Sequence, residues 1–99
     1  MVFAHLRIYT INKGMMDAWL NLFHGELVAR MADAGIQVES AWVNQQGTQF
    51  IWIRSYGEAL ANIERMEHAF YGSEWWQANV DHVRSHIAHR EVTLIQSSG

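Results

Sequence analysis

Polar and apolar residues alternate along Phe3–Thr10, with Ala4, Leu6 and Ile8 on one side and His5, Arg7 and Tyr9 on the other. A period of two predicts a strand. Asn12, Lys13 and Gly14 interrupt the pattern, and residues 15–34 then take helical spacing. Met16, Leu20, Phe23, Leu27 and Met31 form the apolar stripe, and Gly35 suits the residue just past a helix end. Val38–Asn44 and Thr48–Tyr56 read as two strands joined through Gln45, Gln46 and Gly47, a connection short enough for a hairpin. Glu58–Phe70 predicts a second helix with Leu60, Ile63, Met66 and Phe70 inward. Gly72 breaks it, and Ser73 suits the N-cap of a further helix that buries Trp76, Val80 and Val83. Ile87–Gln96 is the last strand. The order is βαββαβ with a broken second helix. It predicts a single α+β domain over residues 1–99, ferredoxin-like, with a four-stranded antiparallel sheet.

Both sides of the sheet carry bulky side chains. The third strand sets Phe50, Trp52, Arg54 and Tyr56 against Gln49, Ile51, Ile53 and Ser55. A sheet with helices on one face and water on the other shows a polar outer face. Trp42, Trp52 and Tyr56 are read as outer-face residues that need a cover. The chain has 99 residues, 49% of them hydrophobic, with five Trp and five Met, more large apolar surface than one small core consumes. The expected cover is a second copy, making a homodimer whose sheets pack face to face.

The formal net charge is −3 and no basic stretch exists, which argues against nucleic acid as a partner. No apolar run approaches the roughly 20 residues of a membrane helix, and the first residues enter a strand pattern directly. A cytoplasmic protein without a membrane partner is expected. There is no cysteine, so disulfides and thiolate chemistry are excluded. Phosphate-binding loops, dinucleotide fingerprints and nucleophile elbows are missing, and the expected cofactor set is none.

The stretch LRIYTINKGMMDAWLNLF resembles the opening of NIPSNAP domains, which read L-R-x-Y-T, then a Lys/Gly turn, then a helix with a central aromatic. GIQVESAWVNQQGTQFIWIRSYGEALANIERM and SEWWQ resemble the second half of the same family, in the same order. The resemblance implies a dimeric α+β barrel. Relatives in that superfamily include cofactor-free monooxygenases, polyketide cyclases, muconolactone isomerase-like enzymes and haem proteins, so the fold is implied more firmly than the reaction.

His5, Arg7 and Tyr9 share one strand face and supply a base, a cation for a developing negative charge and a phenolic donor. Arg7 and Tyr9 fall on the family's L-R-x-Y-T; His5 has no family position. The alternative is that the three pair structurally with Glu39, Glu91 or backbone. His24, beside the helical stripe, is a second candidate base expected to reach a cavity between helix and sheet, or else a half-buried histidine bonded to backbone. His82 and His86 share a helical face, but His89 points elsewhere, so no metal site is expected; the pair reads as exposed histidines at a helix end. Trp19, Phe23, Trp52, Tyr56, Phe70 and Trp75 are the expected apolar walls of a substrate site, with its mouth at the Gly72 break. Superfamily cyclases carry a histidine near Trp75, a departure that argues against copying their mechanism.

The leading reading is a homodimeric, cofactor-independent enzyme acting by proton transfer on a small aromatic or polyketide-like molecule, as an isomerase, cyclase or dehydratase in biosynthesis. One alternative is a non-catalytic domain binding a small apolar ligand or a partner. The other is a cofactor-free monooxygenase whose phenolic substrate reduces oxygen itself.

Overall fold

A computed structural model describes residues 1–99. Strand β1 spans Phe3–Ile11. Helix α1 follows as Met16–Leu22, a π-helical turn Phe23–Leu27 and Val28–Asp33 without interruption. Strands β2 (Gln37–Val43) and β3 (Gln49–Ser55) form the hairpin. Helices α2 (Ala61–Tyr71) and α3 (Glu74–Arg84) precede β4 (Ile87–Gln96). The four strands are antiparallel in the order β2-β3-β1-β4. This is the ferredoxin-like α+β arrangement that the alternation predicts. No helix is long and apolar enough to cross a membrane.

The π turn has a cause in the spacing of α1. Its buried residues are Trp19, Phe23, Leu27 and Met31, each four apart. At 3.6 residues per turn every such step overshoots by about 40°, so three steps would swing Met31 about 120° away from Trp19. One extra residue in a π turn takes back about 100° and keeps all four on the sheet. The predicted stripe named Met16 and Leu20 in place of Trp19; both are only partly buried beside the core.

Between α2 and α3 only Gly72 and Ser73 intervene. A Cβ on Gly72 would lie 2.7 Å from the His68 carbonyl oxygen, so glycine is required by close approach. The Ser73 hydroxyl oxygen accepts from the Trp76 amide (3.2 Å) and donates to the Phe70 carbonyl (2.7 Å), capping one helix while closing the other.

The core is largely aromatic. Phe23 from α1 meets Phe50 and Trp52 from β3 with ring centroids 4.7 and 5.0 Å apart, and Trp19 meets Tyr9 and Phe50. This corrects one assignment. Trp52 and Tyr56 do not face outward; they lie under the helices at 2% and 0% exposure. The same face carries Arg7 and Arg54, both buried. The charges make that side resemble an outer surface. The uncovered side instead aligns Trp42 with Ile51 and Ile8, and Ser40 with Ile53 and Leu6. Trp42 is 66% exposed there, and Leu60, predicted inward on the second helix, precedes α2 and is exposed as well.

Candidate active site

The side chains with chemistry converge where β1 and β3 pass beneath α2. Alternation on β1 aims His5, Arg7 and Tyr9 at the helices, and the β1–β3 register sets His5 opposite Arg54 and Arg7 opposite Trp52. Glu67 descends from α2. Arg54 Nη2 donates to Glu67 Oε2 at 2.6 Å and to the Tyr71 hydroxyl at 2.9 Å, while Arg54 Nε donates to the Tyr56 hydroxyl at 2.6 Å. Arg7 Nη1 donates to the Tyr9 hydroxyl (3.0 Å), and Arg7 Nη2 reaches Glu67 Oε2 and His5 Nδ1 at 3.5 and 3.3 Å. Both guanidinium groups also approach the Trp52 ring, at 5.9 and 5.6 Å from its centroid.

Protonation states follow from these contacts. A guanidinium has only donors, so His5 Nδ1 accepts from Arg7 and the ring proton sits on Nε2. Burial first, then Arg7 and Arg54, lower the His5 pKa to about 4 against a weaker opposing pull from Glu67, so the ring is neutral at pH 7. The Tyr56 hydroxyl lies 3.0 Å from His5 Nδ1 and 3.2 Å from Glu67 Oε2. Burial, with Glu67 adding to it against Arg54 and Arg7, pushes the Tyr56 pKa up to about 12, so it remains a proton donor. Every hydrogen bond to Glu67 ends on Oε2; Oε1 accepts none. Arg7 Nε and the indole nitrogens of Trp19 and Trp52 are buried donors without partners.

This network forms the floor of a groove. The groove, about 470 Å3, lies between β4 and the α2–α3 break and is lined by Arg7, Glu67, Tyr71, Trp76, Arg84 and Arg90. Beneath it, a slot of about 30 Å3 is walled by Tyr9, Trp19, Trp52, Arg54 and Phe70 and shares Tyr71, Trp76, Arg84 and Arg90 with the groove. A shallower depression of about 900 Å3 runs along the outer flank of α2 and shares Glu67 and Tyr71. The groove is the better site because a buried cation, Arg7, two exposed ones, Arg84 and Arg90, a carboxylate and aromatic walls meet in it.

The structure thus gathers His5, Arg7, Tyr9, Trp52 and Tyr56 into one network and places Trp19 and Phe70 on the slot. His5 lines neither groove nor slot; it stands behind Arg7 and Glu67. His24 is not brought to the site: it is exposed on the π turn, edge-on to Phe23 at 5.2 Å, because the turn points it away from the sheet. Phe23 is buried core rather than lining. Trp75 packs under Arg30 at 5.4 Å, off the groove, and Trp76 takes the place at the mouth assigned to it. His86 is not exposed: it is buried at 2%, with its ring 5.9 Å from Trp19 and Nδ1 2.9 Å from the His82 carbonyl. The strand and helix patterns alone do not single out Arg54, Glu67, Tyr71, Arg84 and Arg90. One signal is present: Glu67 falls between Ile63 and Phe70, inside the apolar stripe of α2.

The NIPSNAP family model matches residues 4–97. The chain belongs to the NIPSNAP family. Among solved structures it is similar to a NIPSNAP family protein from Agrobacterium tumefaciens, with TM-score 0.88, 22% identity, and 99% of this chain and 94% of that chain covered. A NIPSNAP domain protein from Burkholderia xenovorans gives TM-score 0.85 at 15% identity over 97% of this chain and 94% of that one. The fold extends to SnoaB, a cofactor-independent oxygenase from Streptomyces nogalater, with TM-score 0.75, 11% identity, and 99% and 94% coverage. A search of curated proteins gives no match. At these identities the structural neighbours establish the shared fold, and the NIPSNAP match establishes the family.

Proposed function

We propose that this NIPSNAP domain is a cofactor-independent enzyme that moves a proton on a small aromatic or enolisable molecule. The observation that carries the reading is the asymmetry of Glu67. Its Oε2 is held by Arg54, Tyr56 and Arg7, which fixes the carboxylate, while Oε1 accepts no bond and the residue lines the groove. A fixed carboxylate with one free oxygen is a base for a carbon or phenol acid. Arg7, buried and with Nε unpaired, stands beside it to stabilise the enolate or phenolate that forms. His5, neutral and behind this pair, positions Arg7 and the Tyr56 hydroxyl and does not take the substrate proton. Trp76 and Tyr71 form the flat walls. The reading includes a homodimer, with a second copy covering the bare sheet face around Trp42.

The experiment is deuterium wash-in at the α-carbon of a panel of aryl ketones and cyclic 1,3-diketones in D2O, followed by NMR. Wild type should accelerate exchange for at least one member, and Glu67→Gln should remove the acceleration while near-UV circular dichroism stays native. Equal exchange by both proteins would refute the role of Glu67.

A second reading shares the first step. Similarity to SnoaB favours it. The carbanion or phenolate then reduces dioxygen directly, a ring CH2 and O2 giving a ring C=O and one water. Oxygen consumption with electron-rich polyphenols, measured at an electrode, separates this from simple proton transfer.

A further inference from the structure

Cations concentrate around the groove in a chain that is otherwise acidic. The net charge is −3, yet four of its six arginines, Arg7, Arg54, Arg84 and Arg90, line the groove or its slot. Only one carboxylate, Glu67, stands against them, and Arg54 already engages it at 2.6 Å. The side chains of Arg84 and Arg90 form no ion pair and no hydrogen bond. Arg84 rests 6.0 Å from the Trp76 ring, and both line the groove and the slot together. Both are exposed, and both line the groove. Deeper in, Arg7 is 5% exposed with its Nε unpaired. A buried guanidinium donor with no acceptor costs free energy that a bound anion would recover.

We infer that the groove is built for an organic carboxylate, with Arg84 and Arg90 gripping the carboxylate at the mouth while the flat remainder lies on Trp76 and Tyr71 toward Arg7. The planar fork of guanidinium matches a carboxylate through paired parallel bonds, which an ammonium does not do. Two outer arginines and one inner one also divide the labour. The outer pair holds a charge that the substrate brings with it, and Arg7 is left for the charge that develops during reaction. This rests on the proton-transfer reading above and narrows its substrate to aryl or enolisable acids that carry a carboxylate.

Benzoate and its neutral isostere benzamide are the probes, with binding to the full-length protein followed by calorimetry or tryptophan fluorescence. Wild type should bind benzoate about tenfold tighter than benzamide, the scale of one charge-assisted contact. Arg84→Gln and Arg90→Gln should each remove most of that preference and leave benzamide binding within about twofold. Arg65→Gln, an exposed arginine bonded only to Asn62, controls for net charge and should leave the preference intact. Equal binding of the two probes by wild type, a preference that survives both substitutions, or no binding of either probe would overturn the inference. So would inorganic phosphate displacing benzoate at equal affinity, which would indicate a tetrahedral anion. The deuterium assay keeps the two ideas apart. Lost exchange in Glu67→Gln with equal probe binding sinks only the carboxylate assignment. An arginine-dependent benzoate preference with unchanged exchange in Glu67→Gln sinks only the role of Glu67.

Discussion

Arg54 on β3 donates from Nη2 to Glu67 Oε2 on α2 at 2.6 Å, an ion pair with the cation 2% exposed and the carboxylate 25%. It ties an inner strand to the helix above the groove. Breaking a buried pair from one side leaves the other charge stranded, which costs about 3–5 kcal/mol. Glu67 is partly open to water, so Glu67→Ala should lose less than that, about 2–3 kcal/mol. Glu67→Gln keeps an oxygen for Arg54 to bond and should lose less. Urea denaturation at pH 7 checks both; a midpoint unchanged in Glu67→Ala would show that the pair contributes nothing to stability.

His5 makes stability depend on pH with a definite sign. Its pKa falls from 6.5 to about 4 on folding, with burial the largest cause and Arg7 and Arg54 next. Between those values the unfolded chain binds the proton that the folded chain refuses, so stability rises with pH across that window. It is full above pH 6.5 and declines as pH drops toward 4. The urea midpoint of wild type should therefore fall between pH 7 and pH 5, and His5→Gln should flatten that fall. Equal slopes in the two proteins would assign the pH dependence to other groups.

The order of elements is legible because alternation and helical spacing depend only on which positions are apolar. The assignment of sheet faces is not. Trp52 and Tyr56 read as outward because Arg7 and Arg54 share their face, and a charged face normally meets water. Those two charges are buried because Glu67 and the hydroxyls of Tyr9, Tyr56 and Tyr71 satisfy them, and no strand pattern encodes partners supplied by a helix. For the same reason His5 reads as a base exposed to substrate, whereas it lies behind the carboxylate that lines the groove. Arg84 and Arg90 look like ordinary solvated charges until the chain path brings a helix end and an edge strand to one groove. The π turn is in principle visible, since Trp19, Phe23, Leu27 and Met31 keep a strict spacing of four.

The bare sheet face yields a prediction about assembly. Trp42, aligned with Ile51 and Ile8, is 66% exposed on a side that no helix covers. Trp42→Glu should leave the monomer fold unchanged, because the residue contributes nothing to the core beneath the helices. It should convert a dimer to a monomer in sedimentation at micromolar concentration, since a charge at the centre of an apolar contact is desolvated without a partner. A wild-type protein that already sediments as a monomer would remove the second copy from the proposed function.

Two glycines should respond oppositely to alanine. Gly25 lies in the π turn of α1, exposed, without a positive φ, and a Cβ added there would meet nothing within 4 Å. Replacing it removes only the flexibility of the unfolded chain, so Gly25→Ala should stabilise by about 0.5–1 kcal/mol. Gly35 ends α1 at φ +91°, and a Cβ there would come within 3.2 Å of the Met66 side chain. Gly35→Ala meets both the left-handed backbone and that contact, and should destabilise by about 1–2 kcal/mol. Thermal melts of the pair test the account of α1 directly. The π turn exists to hold Trp19, Phe23, Leu27 and Met31 on the sheet, so a stiffer residue at its exposed apex should be welcome. A loss of stability in Gly25→Ala would show that the turn relies on glycine's freedom and that spacing alone does not impose it.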